Sequence, residues 1–193
     1  MAKAAAKKSV TAKTAAPRGP RHAGVEVRNA AVAVSVLPTS ERISLRAPAA
    51  SVAALSKALK VKLPVKPKTS ATESGRHALW LGPDEWLVID DTGRDPLADA
   101  TNVKAMHSAV GISHRNVGFS VAGKGAEATL SAGCPQDLAL PAFPVGACSR
   151  TILGKAEVVI LRTGDDAFRL ECWRSFSDYV LDFLTEAGLD AGA

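Results

Sequence analysis

The chain has 193 residues, of which 47% are hydrophobic, and it carries a formal net charge of +5. A chain of this size and composition can bury one hydrophobic core, or two smaller cores that share an interface between sheets. It contains no apolar run long enough to span a membrane and no hydrophobic stretch typical of a secretory signal, so neither a membrane partner nor export is expected.

The three cysteines, Cys134, Cys148 and Cys172, are far apart and form no Cys-x-x-Cys pair. Their number and spacing argue against a disulfide framework and against a structural zinc site. Reduced cysteines are typical of the cytosol, so we expect a cytoplasmic protein.

The positive charge is concentrated at the N-terminus. Residues 1–23 contain six lysines and arginines and no acidic residue. Their composition, rich in Ala, Thr and Pro, predicts a disordered basic tail. A nucleic-acid-binding arm and an organelle transit peptide are alternative interpretations. Because the rest of the chain holds 18 basic and 19 acidic side chains, no nucleic-acid-binding face is expected on the folded part.

The first half of the remaining chain combines strand and helix patterns. Residues 25–37 alternate in part, and residues 41–46 alternate cleanly between apolar and polar side chains, as a half-buried strand does. A proline turn then precedes an amphipathic helix over residues 51–59. After a connector rich in proline and lysine, residues 76–91 consist of two apolar runs around a Gly-Pro-Asp-Glu turn, which predicts a β-hairpin.

The second half follows a polar segment in which a short helix is expected from about Pro96. Glycines interrupt an alternating run after residue 122, and Pro135 prevents the helix that follows from continuing. The predicted elements are, in order, a strand over residues 117–122, a helix over 126–132, strands over 147–153, 157–161 and 167–173, and a final helix that Ser175 is positioned to cap.

The two halves share the order strand, turn, helix, connector and hairpin, with Leu81-Gly82 and Leu153-Gly154 in equivalent places. Each half therefore has a βαββ pattern. Such a unit cannot cover both faces of its own sheet, so the halves should pack on each other. We predict an α+β fold in which one domain, residues 24–190, consists of two repeats at about residues 24–110 and 111–190.

The sequence is poor in catalytic motifs. Gly123-Lys124-Gly125 lacks the third glycine of a dinucleotide-binding loop, and the dispersed histidines form no metal-binding pair. His114 is better explained as a polar strand residue than as a base. For Asp137, which follows Pro135 at a turn, a structural role as acceptor of backbone N–H groups is favoured over a role as general base. We therefore predict no catalytic, cofactor-binding or metal-binding residue in this chain.

Tryptophans and arginines allow more than one interpretation. Trp80 and Trp86 flank the hairpin turn and serve either as core anchors of a sheet or as a lid over a flat ligand. Five arginines lie in or next to strands of the second half, where they are solvated, fasten elements inside the chain, or pair with carboxylates of a partner. These are Arg115, Arg150, Arg162, Arg169 and Arg174.

Four segments together resemble the gamma subunit of heterotetrameric sarcosine oxidase, in the right order and over about residues 24–188. They are Leu81-Gly82-Pro83-Asp84-Glu85-Trp86-Leu87, Ser113-His114-Arg115, Gly133-Cys134-Pro135-Gln136-Asp137-Leu138 and Trp173-Arg174-Ser175-Phe176. The first also occurs in the aminomethyltransferase superfamily, whereas the last two narrow the resemblance to the gamma subunit.

The resemblance implies a fold like the folate-binding domain of aminomethyltransferases and an assembly of alpha, beta, gamma and delta subunits. That assembly oxidatively demethylates sarcosine to glycine, passes the one-carbon unit to tetrahydrofolate and produces hydrogen peroxide. FAD, FMN, NAD, tetrahydrofolate and zinc are implied for the other subunits, and none for this chain. Arg115 and Arg174 lie in the shared motifs, which makes them the candidate residues for the interface with the alpha subunit.

Two alternatives remain at this stage. The chain could be the equivalent subunit of N-methylglutamate dehydrogenase, whose sequence motifs are similar. It could also be a stand-alone folate-binding or aminomethyltransferase-like protein, although a full aminomethyltransferase is expected to be about twice as long. Both alternatives share the predicted fold with the sarcosine oxidase subunit.

Overall fold

The computed structural model describes His22 and residues 24–192. The predicted disordered tail, residues 1–23, lies outside the described residues apart from His22. The described part of the chain forms eleven strands: β1 (Glu26–Arg28), β2 (Ala33–Val36), β3 (Glu41–Arg46), β4 (Ser70–Glu73), β5 (Arg76–Gly82), β6 (Glu85–Asp90), β7 (Ser108–Gly111), β8 (Asn116–Ala122), β9 (Cys148–Leu153), β10 (Ala156–Gly164) and β11 (Ala167–Trp173). The helices within the same residues are α1 (Val52–Leu59), α2 (Pro96–Thr101), α3 (Ala126–Ser131) and α4 (Ser177–Asp190), with short 3₁₀ turns at Ala49–Ser51 and Arg174–Phe176.

The strands form two sheets in which all neighbouring strands are antiparallel. The six-stranded sheet has the order β1-β2-β8-β11-β10-β9, and the five-stranded sheet has the order β4-β5-β6-β3-β7. Successive side chains of a strand point to opposite faces. Each sheet therefore presents one set of side chains to the helices and another set to the opposite sheet.

The two sheets pack face to face, and two helices cover the outer side of each. Buried side chains of β8, β10 and β11 form one core with α3 and α4, and those of β3, β5 and β6 form a second core with α1 and α2. A smaller apolar cluster lies between the sheets, where Leu79, Leu87 and Ile89 meet Val159 and Leu161. The resulting order of layers is helices, sheet, sheet, helices.

Each half of the chain runs strand, strand, helix, three strands, helix. In the first half these are β2, β3, α1, β4, β5, β6 and α2, and in the second half β7, β8, α3, β9, β10, β11 and α4. The first strand of each half is exchanged, since β2 pairs with β8 and β7 pairs with β3. The halves are therefore interlocked, and a boundary at residue 110 does not coincide with a division between the sheets.

The predicted α+β class and its two similar halves are confirmed. The short edge strands β4 and β7 lack the alternation of apolar side chains that predicts a strand, and none of their side chains is fully buried. With β4 included, the β5–β6 hairpin corresponds to β10–β11 rather than to β9–β10, so Leu81-Gly82 and Leu153-Gly154 are not equivalent. The expected cap is also wrong: Ser175 lies in a 3₁₀ turn, and α4 begins at Ser177 with no side-chain hydrogen bond at its N-cap.

Trp86 anchors the outer core of the five-stranded sheet. Its side chain is buried, and its indole N–H donates a hydrogen bond to the Pro64 carbonyl at 2.7 Å. Trp80 is half-buried and packs against the same cluster. Both tryptophans therefore act as core residues, which favours this interpretation over an aromatic lid.

A buried arginine on the same face ties the helices to the sheet. Arg76 donates hydrogen bonds from Nε to Asp90 at 2.7 Å, and from Nη1 to the Leu59 carbonyl at 2.7 Å and to Asp99 at 2.6 Å. The side chains of Arg76 and Asp90 are 1% and 0% exposed, so water cannot replace these bonds. Arg76 thereby links the end of α1 and the body of α2 to β5 and β6.

We expect acid to destabilise the fold through Asp90. Burial opposes the charge on this carboxylate, but hydrogen bonds from the Thr92 hydroxyl, from Arg76 and from two backbone N–H groups outweigh burial and lower its pKa to about 2. Because this value lies below the ordinary value of 3.8, ionised Asp90 stabilises the protein above about pH 4, and its contribution is lost as the pH falls towards 2. Melting temperatures recorded from pH 7 to pH 2 measure this loss.

The matched control is Asp90→Asn, which cannot titrate. This variant should be less stable than the wild type at pH 7 and should lose less of its stability on acidification. Identical pH dependence of the melting temperature in the two proteins would contradict the assignment.

Candidate functional site

The surface between the two sheets carries charged as well as apolar side chains. On β3, the alternation of side chains places Ile43 in the core with the helices and Arg42 on the opposite face. On β11, it places Leu170 in the other helix-covered core, and Arg169 and Glu171 on the face towards β3. The period of two in these strands therefore brings three charged side chains into the interface.

Glu171 is shared between two arginines in this interface. Arg42 donates from Nε to Oε2 at 2.7 Å and from Nη2 to Oε1 at 3.1 Å, and Arg169 donates from Nε to the same Oε1 at 2.9 Å. The side chains of Arg42 and Glu171 are 2% and 1% exposed. Since a buried charge without a partner is strongly unfavourable, these side chains stabilise one another only as a group.

The same group continues to Asp91 at the end of β6. Arg169 donates from Nη1 to Oδ2 at 2.6 Å and from Nη2 to Oδ1 at 3.0 Å, and the Ser40 hydroxyl donates to Oδ1 at 2.6 Å. His77 Nε2 lies 3.1 Å from Oδ2. Burial opposes the charge on Asp91, but hydrogen bonds to His77, Arg169 and Ser40 hold its pKa well below the ordinary range. This carboxylate is therefore a permanent anion rather than a proton acceptor.

The ion pairs with Asp91 and Glu171 also change the pKa of Arg169. Burial lowers the pKa of Arg169, but the nearby charges of Glu171 and Asp91 and their hydrogen bonds outweigh burial and raise it. Arg169 therefore stays protonated in the interface. The network as a whole is suited to holding the sheets in register and not to transferring protons.

A cleft of about 230 Å³ opens beside this network, between the two sheets. Leu81, Leu87 and Val159 form apolar walls, and Trp173 and Asn116 lie where strands of the six-stranded sheet begin and end. Arg150 and Glu85, which also line the cleft, form an ion pair that connects β9 to β6. No histidine or cysteine is among the described residues that line it.

The structure brings two of the predicted residues together. Arg115 is exposed, its guanidinium carbon lies 5.0 Å from the centre of the Trp173 ring, and its Nε donates to Asn116 at 3.4 Å. Arg174 is half-buried, and its backbone N–H donates to the Arg115 carbonyl at 2.6 Å. His114, beside Arg115, is exposed. Arg115 and Arg174 thus belong to one surface, although they are 59 positions apart in the sequence.

Asp137 lies apart from this surface. Its side chain is exposed, and Oδ1 accepts a hydrogen bond from the Ala139 backbone N–H at 2.9 Å. The structure therefore places Asp137 in a local turn, as an acceptor of one backbone N–H group. The carboxylate is not buried, so its contribution to stability is smaller than that of a buried acceptor.

Three of the five conspicuous arginines are fastened inside the chain. Arg169 belongs to the network between the sheets, Arg150 pairs with Glu85 across them, and Arg162 is buried over the Phe168 ring at 4.5 Å. Each also has an acidic partner that is distant in sequence, which is Asp91 for Arg169, Glu85 for Arg150 and Glu127 for Arg162. The sequence can show that these arginines lie in strands, but not that they are paired.

Sequence patterns singled out Arg169 but not Arg42 or Glu171, its fellow members of the buried network. Arg42 and Glu171 are separated by 129 positions, and neither lies in a recognisable motif. The only local signal is a charged side chain inside a strand of strong alternation, such as Glu171 between Leu170 and Cys172. That signal indicates a charge on one face of a sheet and says nothing about its partner.

The cysteines of the described residues are free and buried. Burial raises the pKa of the Cys148 and Cys172 thiols to about 12, so both stay protonated at neutral pH. A protonated thiol is a poor nucleophile and a poor metal ligand. Within the described residues, no group of three His, Cys, Asp or Glu side chains is placed to hold a metal ion.

Among the described residues, no helix is both long enough and apolar enough to cross a membrane.

The fold has a counterpart among solved structures. The chain resembles the glycine cleavage system aminomethyltransferase T from Bartonella henselae, with a TM-score of 0.62 and 17% identity over 80% of this chain and 45% of that chain. At this level of identity the likeness shows a shared fold. The chain therefore has the same type of α+β fold as this aminomethyltransferase.

Closer relatives identify the family. The model of the sarcosine oxidase, gamma subunit family matches residues 44–190. The sarcosine oxidase subunit gamma of Corynebacterium sp. (strain P-1) is 31% identical over 140 residues, which are 70% of this chain and 68% of the relative. A chain of the heterotetrameric sarcosine oxidase from Corynebacterium sp. U-96, solved in complex with pyrrole 2-carboxylate, matches with a TM-score of 0.81 and 28% identity over 87% of this chain and 89% of that chain. The chain belongs to the sarcosine oxidase gamma subunit family.

Removing the charge of Glu171 should strongly destabilise the protein. Glu171→Gln leaves two buried guanidinium groups without a full countercharge, and breaking one side of a buried ion pair costs about 3–5 kcal/mol. The free energy of unfolding in urea measures the effect. In the control Glu26→Gln, the lost partner Arg28 is 70% exposed, so a change below about 1 kcal/mol is expected. Equal losses in the two variants would show that the network does not hold the sheets together.

Asp137→Ala should lower the free energy of unfolding by about 0.5–1.5 kcal/mol, because one exposed hydrogen bond to the Ala139 N–H is lost. Asp137→Asn keeps an acceptor oxygen and should lose less. Both variants are compared by urea unfolding and by turnover after assembly with partner subunits. Normal stability together with lost turnover would instead assign Asp137 a catalytic role.

Proposed function

We propose that this chain is the gamma subunit of a heterotetrameric sarcosine oxidase and works as a structural, non-catalytic subunit beside alpha, beta and delta subunits. The assembly would oxidatively demethylate sarcosine to glycine, pass the one-carbon unit to tetrahydrofolate and produce hydrogen peroxide. The observation that carries the proposal is the match over nearly the whole folded part to a chain of a heterotetrameric sarcosine oxidase. Family membership and the curated gamma-subunit relative support it.

The alternatives are less well supported. The gamma-subunit family model and the matching relatives favour sarcosine oxidase over an N-methylglutamate dehydrogenase subunit. Aminomethyltransferase T shares the fold, but this chain corresponds to only 45% of that protein. A stand-alone transferase would therefore need to work without a large part of the enzyme it resembles.

A non-catalytic role agrees with the state of the chain's reactive groups. Hydrogen bonds with His77, Arg169 and Ser40 outweigh burial and hold the pKa of Asp91 well below its usual range, and the Cys148 and Cys172 thiols are protonated. Groups in these states cannot take up a proton or attack a substrate near neutral pH. We therefore place the FAD, FMN, NAD, tetrahydrofolate and zinc of the assembly in the other subunits.

The glycine turn after β8 does not fit a dinucleotide phosphate. The N–H groups of Gly123 and Gly125 donate to the carbonyls of Asp166 and Ala31 at 2.8 and 2.9 Å. A phosphate site needs such N–H groups to be available. A Cβ atom at Gly123 would come within 2.4 Å of the Ala31 carbonyl oxygen, so this glycine serves close packing against the β1–β2 turn.

Arg115 and Arg174 form the proposed contact with the alpha subunit. They share one surface, and the Arg115 guanidinium lies over Trp173 with its polar edge exposed. The free state of the cysteines among the described residues fits the proposed cytoplasmic location. Subunit assembly in the cytoplasm would then bury this surface.

The test is co-expression of this chain, carrying a tag, with alpha, beta and delta subunits. We expect all four to co-purify, the complex to show flavin absorbance and oxidise sarcosine in preference to N-methylglutamate, and the chain purified alone to contain neither flavin nor zinc. The expectation follows because Asp91 is paired with Arg169, the Cys148 and Cys172 thiols are protonated, and the N–H groups of Gly123 and Gly125 already donate to backbone carbonyls. A stoichiometric flavin or metal in the isolated chain, or a full-rate complex that never contains it, would contradict the proposal.

A further inference from the structure

The register of the six-stranded sheet aligns four side chains across its end. Asn116 on β8 pairs with Trp173 on β11, and Glu157 on β10 pairs with Ile152 on β9. Trp173 and Glu157 lie one position beyond the Val158–Cys172 pair, so they are neighbours across β11 and β10. We call these four residues the open row.

The open row lies on the face towards the five-stranded sheet but is not covered by it. Trp173 and Ile152 are 41% and 48% exposed, and Glu157 is exposed as well. In the next row inward, Glu171 and Val159 are buried. The six-stranded sheet therefore extends one row past its partner and presents an uncovered sheet face.

This face continues into a cavity and onto a neighbouring turn. The cleft of about 230 Å³ begins behind Trp173 and is walled by Leu81 and Leu87 of the other sheet. On the other side, the Phe176 ring lies 6.2 Å from the Trp173 ring and is 39% exposed. A surface that combines a pocket with flanking exposed aromatic rings is larger than a small ligand requires and is typical of protein interfaces.

Two charged side chains at this surface, Arg115 and Glu157, lack an ion-pair partner among the described residues. Among the described residues, no acidic side chain forms an ion pair with Arg115 and no basic side chain forms one with Glu157, whereas Arg150 and Glu85, in the same cleft, pair with each other. A guanidinium that rests on an indole ring keeps its N–H edge available for a carboxylate. The surface therefore complements a partner that brings one carboxylate and one cation.

We infer that the open row and the cleft form the docking surface for a segment of another subunit of the assembly. That segment would insert a side chain into the cleft beside Trp173, and it would offer a carboxylate to Arg115 and a basic side chain to Glu157. The inference rests on the proposed function, because it needs the other subunits. It adds Trp173, Ile152 and Glu157 to the contact and states the chemistry that the partner segment must have.

The test uses the complete complex, purified from cells that co-express all four subunits, and follows dissociation of this chain on dilution by mass photometry. Trp173→Ala, Ile152→Arg and Arg115→Glu should each raise the dissociation constant by at least about thirtyfold, as loss of a central aromatic or charged contact does. Glu157→Lys should act in the same direction by placing like charges together. Melting temperatures of the full chain should stay within a few degrees of the wild type, because the four substituted residues are all exposed.

Matched controls are Met106→Arg, at a residue that is 78% exposed elsewhere, and Arg28→Glu, whose side chain is 70% exposed. Both should assemble like the wild type. Variants of the open row that assemble as tightly as these controls overturn the inference, and so do controls that dissociate as readily as the variants. If Trp173→Ala fails to fold, the exposed Ile152→Arg decides alone.

Other outcomes separate this inference from the proposed function. A wild-type chain that never joins the complex overturns the proposed function and the docking surface together. An intact complex in which the variants alter only the KM for sarcosine overturns the docking surface alone, because the cleft would then bind a small ligand. Variants that change only self-association of the isolated chain assign the surface to a second copy and also overturn the inference.

Discussion

The arrangement of the two sheets depends on one interaction, in which Arg42 and Arg169 both donate hydrogen bonds to the carboxylate of Glu171. Apolar contacts between sheets have no preferred direction and tolerate sliding. The hydrogen bonds of Glu171 are directional and do not tolerate sliding, because moving one strand would leave buried charges unpaired. The network extends to Asp91, so it joins the end of β6 as well as β3 to β11.

Strand exchange makes this arrangement possible. With β2 in the sheet of the second half and β7 in the sheet of the first, neither half can form its complete sheet alone. The shared interface therefore forms together with both helix-covered cores. Arg76 and Trp86 then attach the helices and the connector to the five-stranded sheet, so that the molecule has two outer cores around a polar centre.

The same pairings agree with the proposed role in assembly. Hydrogen bonds with His77, Arg169 and Ser40 keep Asp91 ionised, and burial keeps the Cys148 and Cys172 thiols protonated, so these three groups are unavailable for base or nucleophilic chemistry near neutral pH. At the end of the six-stranded sheet the pairing stops, and Arg115, Glu157 and Trp173 are left at the surface. A subunit that contributes by contact needs this combination of a fixed interior and an incomplete edge.

The sequence by itself determined the α+β class, most strands and helices, the presence of two similar halves and, through four short motifs, the gamma-subunit family. These depend on local alternation, turn residues and motifs, which act over a few positions. Only the tertiary structure decided the exchange of β2 and β7, the partners of Arg42 and Glu171, and the joining of Arg115 with Trp173 and the backbone of Arg174. These features depend on pairings between strands that are distant in sequence. Alternation within one strand places a charged side chain on one face of a sheet, but it is the same whichever other strand supplies the partner of that side chain.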